Sequence, residues 1–318
     1  MKVVFIGSGD IGLPTLRALL ADRRAGGHDL LAVVTQPDRP VGRHQNTLQI
    51  SPLKALALAD GVPVFQPERI KRPEAVEALR TLDADVFVVF AYGQILPQSV
   101  LDLPRVACLN LHASLLPRHR GAAPIHAAVL AGDRESGLTV MYMDAGLDTG
   151  DALLERRVPP LRRETAGSLH DRLAEMSPEA LFAALDALAA GRAPREKQDN
   201  ALATYAPKLD RSSGRLDWTL DHQTLDRQVR GLHPWPGAFT TLPVAGASRL
   251  LKVTAALPVR RCTGHSGEVV RANERGLLVA AGSGGLLLRE VQLEGKKRMR
   301  AKEFLRGNPI AAGTILGA

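Results

Sequence analysis

A chain of 318 residues, 45% apolar and 23% charged, is long enough for two domains and apolar enough to bury a sizeable core in each. It has no long polar or acidic tract and no apolar run long enough to span a bilayer, so neither an extended disordered segment nor a membrane partner is expected. The formal charge of +8 is uneven: through Tyr205, 23 Lys and Arg stand against 24 Asp and Glu, a net of −1, whereas from Ala206 onward 18 stand against 9, a net of +9. A basic module beside a neutral one points to a polyanionic partner.

The opening MKVVFI is too short for a signal-peptide core and reads as a first strand, followed by a helix over 13–20 and a second strand over 30–35. The intervening GSGDIG, residues 7–12, fits the dinucleotide fingerprint by letter, but no acidic residue ends the second strand to hold a ribose. The glycines read equally as a tight strand-to-helix turn. Residues 36–52 have no clear period, and long loops in compact domains tend to be functional. A helix over 52–59, a short strand over 63–65 and a helix over 74–82 precede the continuous apolar run 86–90, which has the character of a parallel strand buried on both faces.

The most informative stretch opens as another buried strand, in which Asn110 and His112 lie two apart and so point to one face. Ser114, Leu115, Leu116 and Pro117 then break regularity, Gly121 allows a turn, and Pro124 suits the first turn of a helix over 125–130. An amide and an imidazole near a strand end, before a rigid loop, are placed where α/β enzymes do chemistry. A strand over 137–143 leads into Asp144, Asp148 and Asp151. Asp144 and Asp151 read individually as turn formers and caps. Asp148 is expected beside His112, holding it protonated. A strand over 152–158 and helices over 165–173 and 178–190 close the first domain at 190, and the polar stretch 191–206 reads as a linker.

From 207 to 318 the style changes. A helix over 221–232 is followed by five short strands, 238–242, 249–255, 267–272, 276–280 and 285–293, separated by Gly and Pro turns. This pattern fits a small β-barrel of oligonucleotide-binding type. The densest basic cluster, 295–302, contains Lys296, Lys297, Arg298 and Arg300 and is expected to contact phosphates. Trp235, between two prolines, is expected to anchor packing rather than to stack on bases. The two cysteines, Cys108 and Cys262, have no metal spacing and suit a reducing, cytoplasmic setting.

Asn110, His112, the segment SLLPRHRGAAPI at 114–125 and Asp148-Thr-Gly resemble the signature of folate-dependent formyltransferases. The likeness continues through TQPDRP at 35–40, AYG at 91–93, YAPKL at 205–209 and PWP at 234–236, and so covers nearly the whole chain. It implies a Rossmann-like α/β formyltransferase domain with a parallel-sheet core, followed by a small OB-like barrel. It further implies transfer of formyl from 10-formyltetrahydrofolate to the α-amino group of initiator methionyl-tRNA by a monomeric enzyme that needs no metal. In that reading Asn110 and His112 stabilise the oxyanion, His112 passes a proton to the departing folate nitrogen, and Asp148 keeps His112 charged and helps order a water that accepts the amine's proton. Folate contacts are implied at Ala91, Tyr92, Gly93, Ser114, Leu115, Leu116, Pro117 and Asp144, although the Tyr92 side chain reads equally well as an aromatic packed on the rim. RNA contacts are implied at Arg43 and Lys208 and in the 296–300 cluster. Two positions depart from the family pattern: the 44–48 stretch lacks the usual lysines, and His119 stands where a Trp is common. Neither His119 nor His126 is expected to be a catalyst. Relatives acting on a glycinamide nucleotide or an amino sugar share the catalytic domain, but small substrates need no basic phosphate track.

Overall fold

The computed structural model describes residues 1–41, 47–159, 162–244 and 247–317, the side chains of 39–49 and 244 apart. Its first half runs β1 (Lys2–Gly7), α1 (Leu13–Arg24), β2 (Asp29–Val34), β3 (Arg39–Val41), β4 (Thr47–Gln49), α2 (Pro52–Ala59) and β5 (Val64–Phe65). There follow α3 (Pro73–Arg80), β6 (Val86–Phe90), α4 (Gln98–Leu101), β7 (Ala107–His112), β8 (Arg120–Gly121) and α5 (Pro124–Ala131). Next come β9 (Ser136–Tyr142), β10 (Ala152–Val158), α6 (Ala166–Ala189) and β11 (Tyr205–Ala206). The last part holds α7 (His222–Gly231), β12 (Ala238–Val244), β13 (Ala247–Val259), β14 (Val269–Asn273), β15 (Gly276–Ala280), β16 (Gly285–Leu293), β17 (Met299–Arg300) and α8 (Ala301–Gly307).

Two compact units result. The first comprises Met1–Pro124, Glu135–Pro159 and His170–Ala206; the second comprises Ile125–Arg134, Pro160–Leu169 and Pro207–Ala318. The first is built on a seven-stranded sheet of order β10-β9-β7-β6-β1-β2-β5. Strands β5, β2, β1, β6 and β7 are parallel, and β9 and β10 add antiparallel pairs at one edge. The run Val3–Ile6 is fully buried, with alternate residues pointing to opposite faces, as expected for a strand covered on both sides. Val4 and Ile6 share one core with Phe87, Val89 and Cys108 of the sheet and with Val76, Leu79, Val100 and Leu101 of α3 and α4. Ser51 caps α2, its Oγ accepting from Lys54 N at 3.3 Å, and Pro52 follows where no amide hydrogen is needed.

Three expectations are corrected here. The aperiodic stretch after β2 contains a hairpin, with Arg39 opposite Gln49 and Val41 opposite Thr47. The two helices expected at 165–173 and 178–190 are the single helix α6, with Pro178 inside it. Proline has no N–H for the Ala174 carbonyl; Ser177 Oγ donates to that oxygen instead, at 2.7 Å, and so the helix continues. Residues 191–206 are not a free tether: the first unit runs through Ala206, and Tyr205–Ala206 pair in parallel with Arg120–Gly121.

The second unit carries an antiparallel sheet of order β12-β13-β16-β15-β14, with β17 added on β16. This agrees with the expected OB-like domain, the sixth short strand being the addition. Two irregularities, after Val253 and after Ala255, bend the 13-residue strand β13 so that its first part pairs with β12 while it also runs along β16. Its core gathers Trp218, Leu225, Val229, Leu251, Val279, Leu288 and Phe304.

Candidate active site

Strand β7 lies between β6 and β9. Its Asn110 sits opposite Val89 of β6 and Met141 of β9, and His112 sits opposite Thr139. Strand β9 runs against β7, so the loop that leaves it starts level with Leu109 rather than at the top of the sheet. The loop therefore crosses the face that Cys108, Asn110 and His112 share. At one end of this crossing Cys108 Sγ meets Met143 Sδ at 3.8 Å; at the other His112 Nδ1 faces Asp148 Oδ2 at 3.6 Å. Between them Asn110 is only half-buried, and its amide has no hydrogen-bond partner among the described residues. That amide is free to donate to a ligand.

His112 is 5% exposed. Its Nε2 lies 3.0 Å from the His119 carbonyl oxygen, which can only accept, so this nitrogen carries a hydrogen. The lone pair of the neutral ring is then on Nδ1, facing Asp148. Burial drives the imidazole below its ordinary value; the Asp148 carboxylate and the His119 carbonyl oppose that, and the His119 ring adds to the fall. The expected juxtaposition of His112 and Asp148 is present at 3.6 Å, and burial opposes the charge on the ring that this carboxylate favours. Asp148 Oδ2 also accepts from Gly121 N at 2.8 Å. Asp144 is a turn former: its carboxylate accepts from Gly146 N at 3.0 Å and from Thr149 Oγ1 at 2.8 Å. Gly150 ends the loop so close to β9 that a Cβ there would lie 1.8 Å from the Tyr142 carbonyl oxygen.

The loops named for folate lie at the carboxyl ends of β6 and β7. Ala91 O accepts from Ser8 N and Gly9 N, both at 3.2 Å. A Cβ at Gly7 would meet Phe90 O at 2.7 Å, and one at Gly12 would meet the Phe5 ring at 3.0 Å. Gly7 thus serves close approach to β6, and Gly12 close packing of the turn on Phe5 of β1. The Tyr92 side chain is inside the core and not on the rim; its buried hydroxyl has no partner among the described residues, and burial pushes the phenol up to about 12. The exposed Gly93 and the Tyr92 carbonyl, which accepts from Gln36 Nε2 at 3.1 Å, are what this loop presents. A cavity of about 520 Å³ opens beside them, lined by Gln36, Glu68, Arg69, Tyr92, Gly93 and Gln94. Ser114, Leu115, Leu116 and Pro117 are held by Thr139, whose Oγ1 donates to Ser114 O at 2.8 Å and accepts from Leu116 N at 3.1 Å. Ser114 Oγ donates to Arg118 O at 2.6 Å.

Sequence reasoning missed the contribution of 195–206. Gln198 Nε2 donates to Asp148 O at 2.9 Å and to Gly150 O at 2.7 Å, while its Oε1 accepts from Arg120 Nη2 at 2.8 Å. Thr204 Oγ1 accepts from His119 N at 2.8 Å, and Arg195 lies over the Tyr142 ring at 3.6 Å. Nothing in the polar, aperiodic sequence of this segment announces such partners; only the YAPKL motif marked its end.

In the second unit Lys208, Lys296, Lys297, Arg298 and Arg300 are all exposed. The last four fall on the turn joining β16 to β17 and on β17 itself, and Arg298 has Glu290 at 3.8 Å. Arg43 lies outside the described residues. Trp235 is 52% exposed, so it does not serve as a packing anchor; that part is taken by Trp218, buried in the core with Nε1 donating to Thr240 Oγ1 at 3.0 Å. His126 Nε2 contacts the Trp235 carbonyl at 3.2 Å.

Comparison with known proteins adds the following. Residues 1–185 match the family model described as formyl transferase, and residues 208–309 match that of the formyl transferase C-terminal domain. The chain is 47% identical over 318 residues to a methionyl-tRNA formyltransferase of Methylacidiphilum infernorum, covering 100% of this chain and 98% of that protein. It is 49% identical over 317 residues to one of Geotalea uraniireducens, with the same coverage. Among solved structures, HypX from Aquifex aeolicus in complex with tetrahydrofolic acid superposes with a TM-score of 0.63 at 19% identity, covering 96% of this chain and 47% of that one.

Proposed function

The chain belongs to the formyl transferase family, and from that premise we infer that it transfers the formyl group of 10-formyltetrahydrofolate to the α-amino group of initiator methionyl-tRNA. The observation that carries this reading is the amide of Asn110, without a partner among the described residues, beside the His112–Asp148 pair, in a chain whose full-length relatives are named methionyl-tRNA formyltransferase. The residues present fit a folate: half-buried Leu115, buried Leu116, the backbone at Ala91 and Gly93, and a cavity of the size that holds flat heterocycles. The folate supplies an activated formyl carbon.

Asn110 Nδ2–H donates to the formyl oxygen as negative charge develops there, where one such donor is worth about 10²–10³ in rate. His112 accepts the proton of the attacking amine at Nδ1. Asp148 stabilises the imidazolium that forms, and the His119 carbonyl holds Nε2–H throughout. The proton then leaves for the folate nitrogen as its bond to the formyl carbon breaks. Lys208, Lys296, Lys297, Arg298 and Arg300, with Arg43, supply positive charge for the tRNA backbone; such contacts position without specifying sequence.

The test is transfer of labelled formyl from 10-formyltetrahydrofolate to charged initiator tRNA, with elongator methionyl-tRNA, free methionine and an amino-sugar nucleotide in parallel. Labelling of initiator methionyl-tRNA in preference to the others is expected. Labelling of the amino-sugar nucleotide alone would replace the acceptor assigned here.

A further inference from the structure

Both groups that hold His112 sit on irregular backbone. His119, whose carbonyl accepts from Nε2, has φ 60°, and Asp148, whose carboxylate faces Nδ1, has φ 52°. For residues other than glycine this left-handed region costs roughly 1–2 kcal/mol each, so neighbouring structure must impose it. Much of that structure comes from one segment, residues 195–206. Gln198 uses its whole side-chain amide. The two Nε2 hydrogens go to Asp148 O and Gly150 O, one on each side of Thr149, and Oε1 takes Arg120 Nε at 3.1 Å and Nη2 at 2.8 Å. Arg120 Nη2 also reaches Asn200 Oδ1 at 2.9 Å. Thr204 bonds His119 on both sides of its Cα: Oγ1 accepts from His119 N at 2.8 Å and lies 3.3 Å from His119 Nδ1, while Thr204 O accepts from Arg120 N at 2.9 Å. Strand β11 extends the seam, Ala206 O accepting from Ala122 N at 2.9 Å.

We propose that Gln198 and Thr204 are positioning residues for the reaction: as a strap across two loops, they set the distance and orientation of Asp148 and of the His119 carbonyl about the His112 ring. The proposal deepens the functional reading above and rests on it for the reaction, though not for the geometry of the ring. The strap touches neither Asn110 nor the loop at 91–93 named for folate; its one bond to the 114–117 loop runs from the main chain, Thr204 N donating to Pro117 O at 3.4 Å, and is kept when only the side chain of Thr204 is changed. Loss of the strap's side chains therefore weakens the proton-handling pair and leaves ligand binding in place. A displacement of the order of 1 Å at reacting groups costs roughly 100-fold.

The experiment uses the full-length chain and the variants Gln198→Met, which keeps bulk and loses all four bonds, Thr204→Val, which loses the hydroxyl, and Thr204→Ser, which keeps it. Each is followed by thermal melting, by NMR titration of the His112 ring and by steady-state formyl transfer. Gln198→Met and Thr204→Val are expected to lower kcat by roughly 10- to 100-fold with both KM values within about threefold. Both are also expected to move the His112 midpoint downward, because the groups that favour its charged form are no longer held against it. Thr204→Ser is expected to restore kcat and midpoint together. Variants that melt like the wild type with an unchanged His112 midpoint would overturn the proposal, whether kcat is unchanged or KM alone has risen. If the wild-type chain does not formylate methionyl-tRNA, the functional reading fails, and the His112 midpoint in the same variants decides the strap by itself. Should Gln198→Met not fold, the Thr204→Val and Thr204→Ser pair carries the decision.

Discussion

Replacing Asp148 by Asn removes one charge and leaves most of the local bonding. The amide oxygen of the substituted side chain can still accept from Gly121 N, now 2.8 Å from the carboxylate, and Asn tolerates the left-handed backbone found here. The electrostatic loss follows from the separation of 3.6 Å between two largely buried groups, with side-chain exposures of 6% and 15%. At an effective dielectric near 20 the attraction is roughly 4–5 kcal/mol, equivalent to about three pKa units of the imidazole. The amide dipole returns part of this, so kcat for Asp148→Asn should fall about 10²- to 10³-fold. Single-turnover transfer with both substrates saturating isolates that step from binding, and a melting curve close to wild type shows that the fold is intact. A rate within tenfold of wild type in a normally folded Asp148→Asn protein would refute the view that Asp148 stabilises a proton on His112.

Further outcomes follow from the same geometry. Asn110→Ala should lower kcat about 10²- to 10³-fold yet leave the melting temperature nearly unchanged, since that amide has no protein partner among the described residues to lose; a melting temperature lowered by many degrees would show otherwise. The acid limb of the kcat/KM profile should have its midpoint below the ordinary imidazole value of about 6.5, because burial lowers His112 and the neutral ring is the active form; a midpoint above that value would contradict it. The same depression means that the folded chain binds fewer protons at His112 than the unfolded one. Its contribution to stability is therefore intact above about pH 6.5 and is lost as pH falls through the lower, folded-state midpoint. In the second unit, Trp218→Ala should cost about 3–5 kcal/mol in denaturant unfolding and Trp235→Ala far less, the first indole being buried and the second half exposed; equal losses would argue for an anchoring part for Trp235.

The legible parts of this molecule were those written in local pattern. The apolar runs 3–6 and 86–90 become buried parallel strands because side chains that suit two covered faces alternate without a polar break. Asn110 and His112 share a face because strand periodicity is two, and the run of carboxylates and glycines after the next strand offered Asp148 as their neighbour. What the sequence hid depended on partners far along the chain. Pro178 looked like a helix boundary, and only the Ser177 hydroxyl on the Ala174 carbonyl shows why the helix continues. The pull of burial against a charge on His112 was not legible, because burial is a tertiary property that a neighbouring acid in sequence does not report. Trp235 drew attention for its prolines, while the packed indole was Trp218, in a stretch with no motif.

The strap also changes where the chain can be divided. The family match to the first domain ends at residue 185, and the sequence alone suggested a seam at 190. A fragment cut at either point would keep the sheet, His112 and Asp148 but would discard Gln198, Thr204 and β11. Exchange of the basic module between relatives, in the laboratory or by recombination, preserves the catalytic geometry only when the crossover falls beyond Ala206. The boundary that matters for inheritance is thus set by hydrogen bonds and not by the end of a helix.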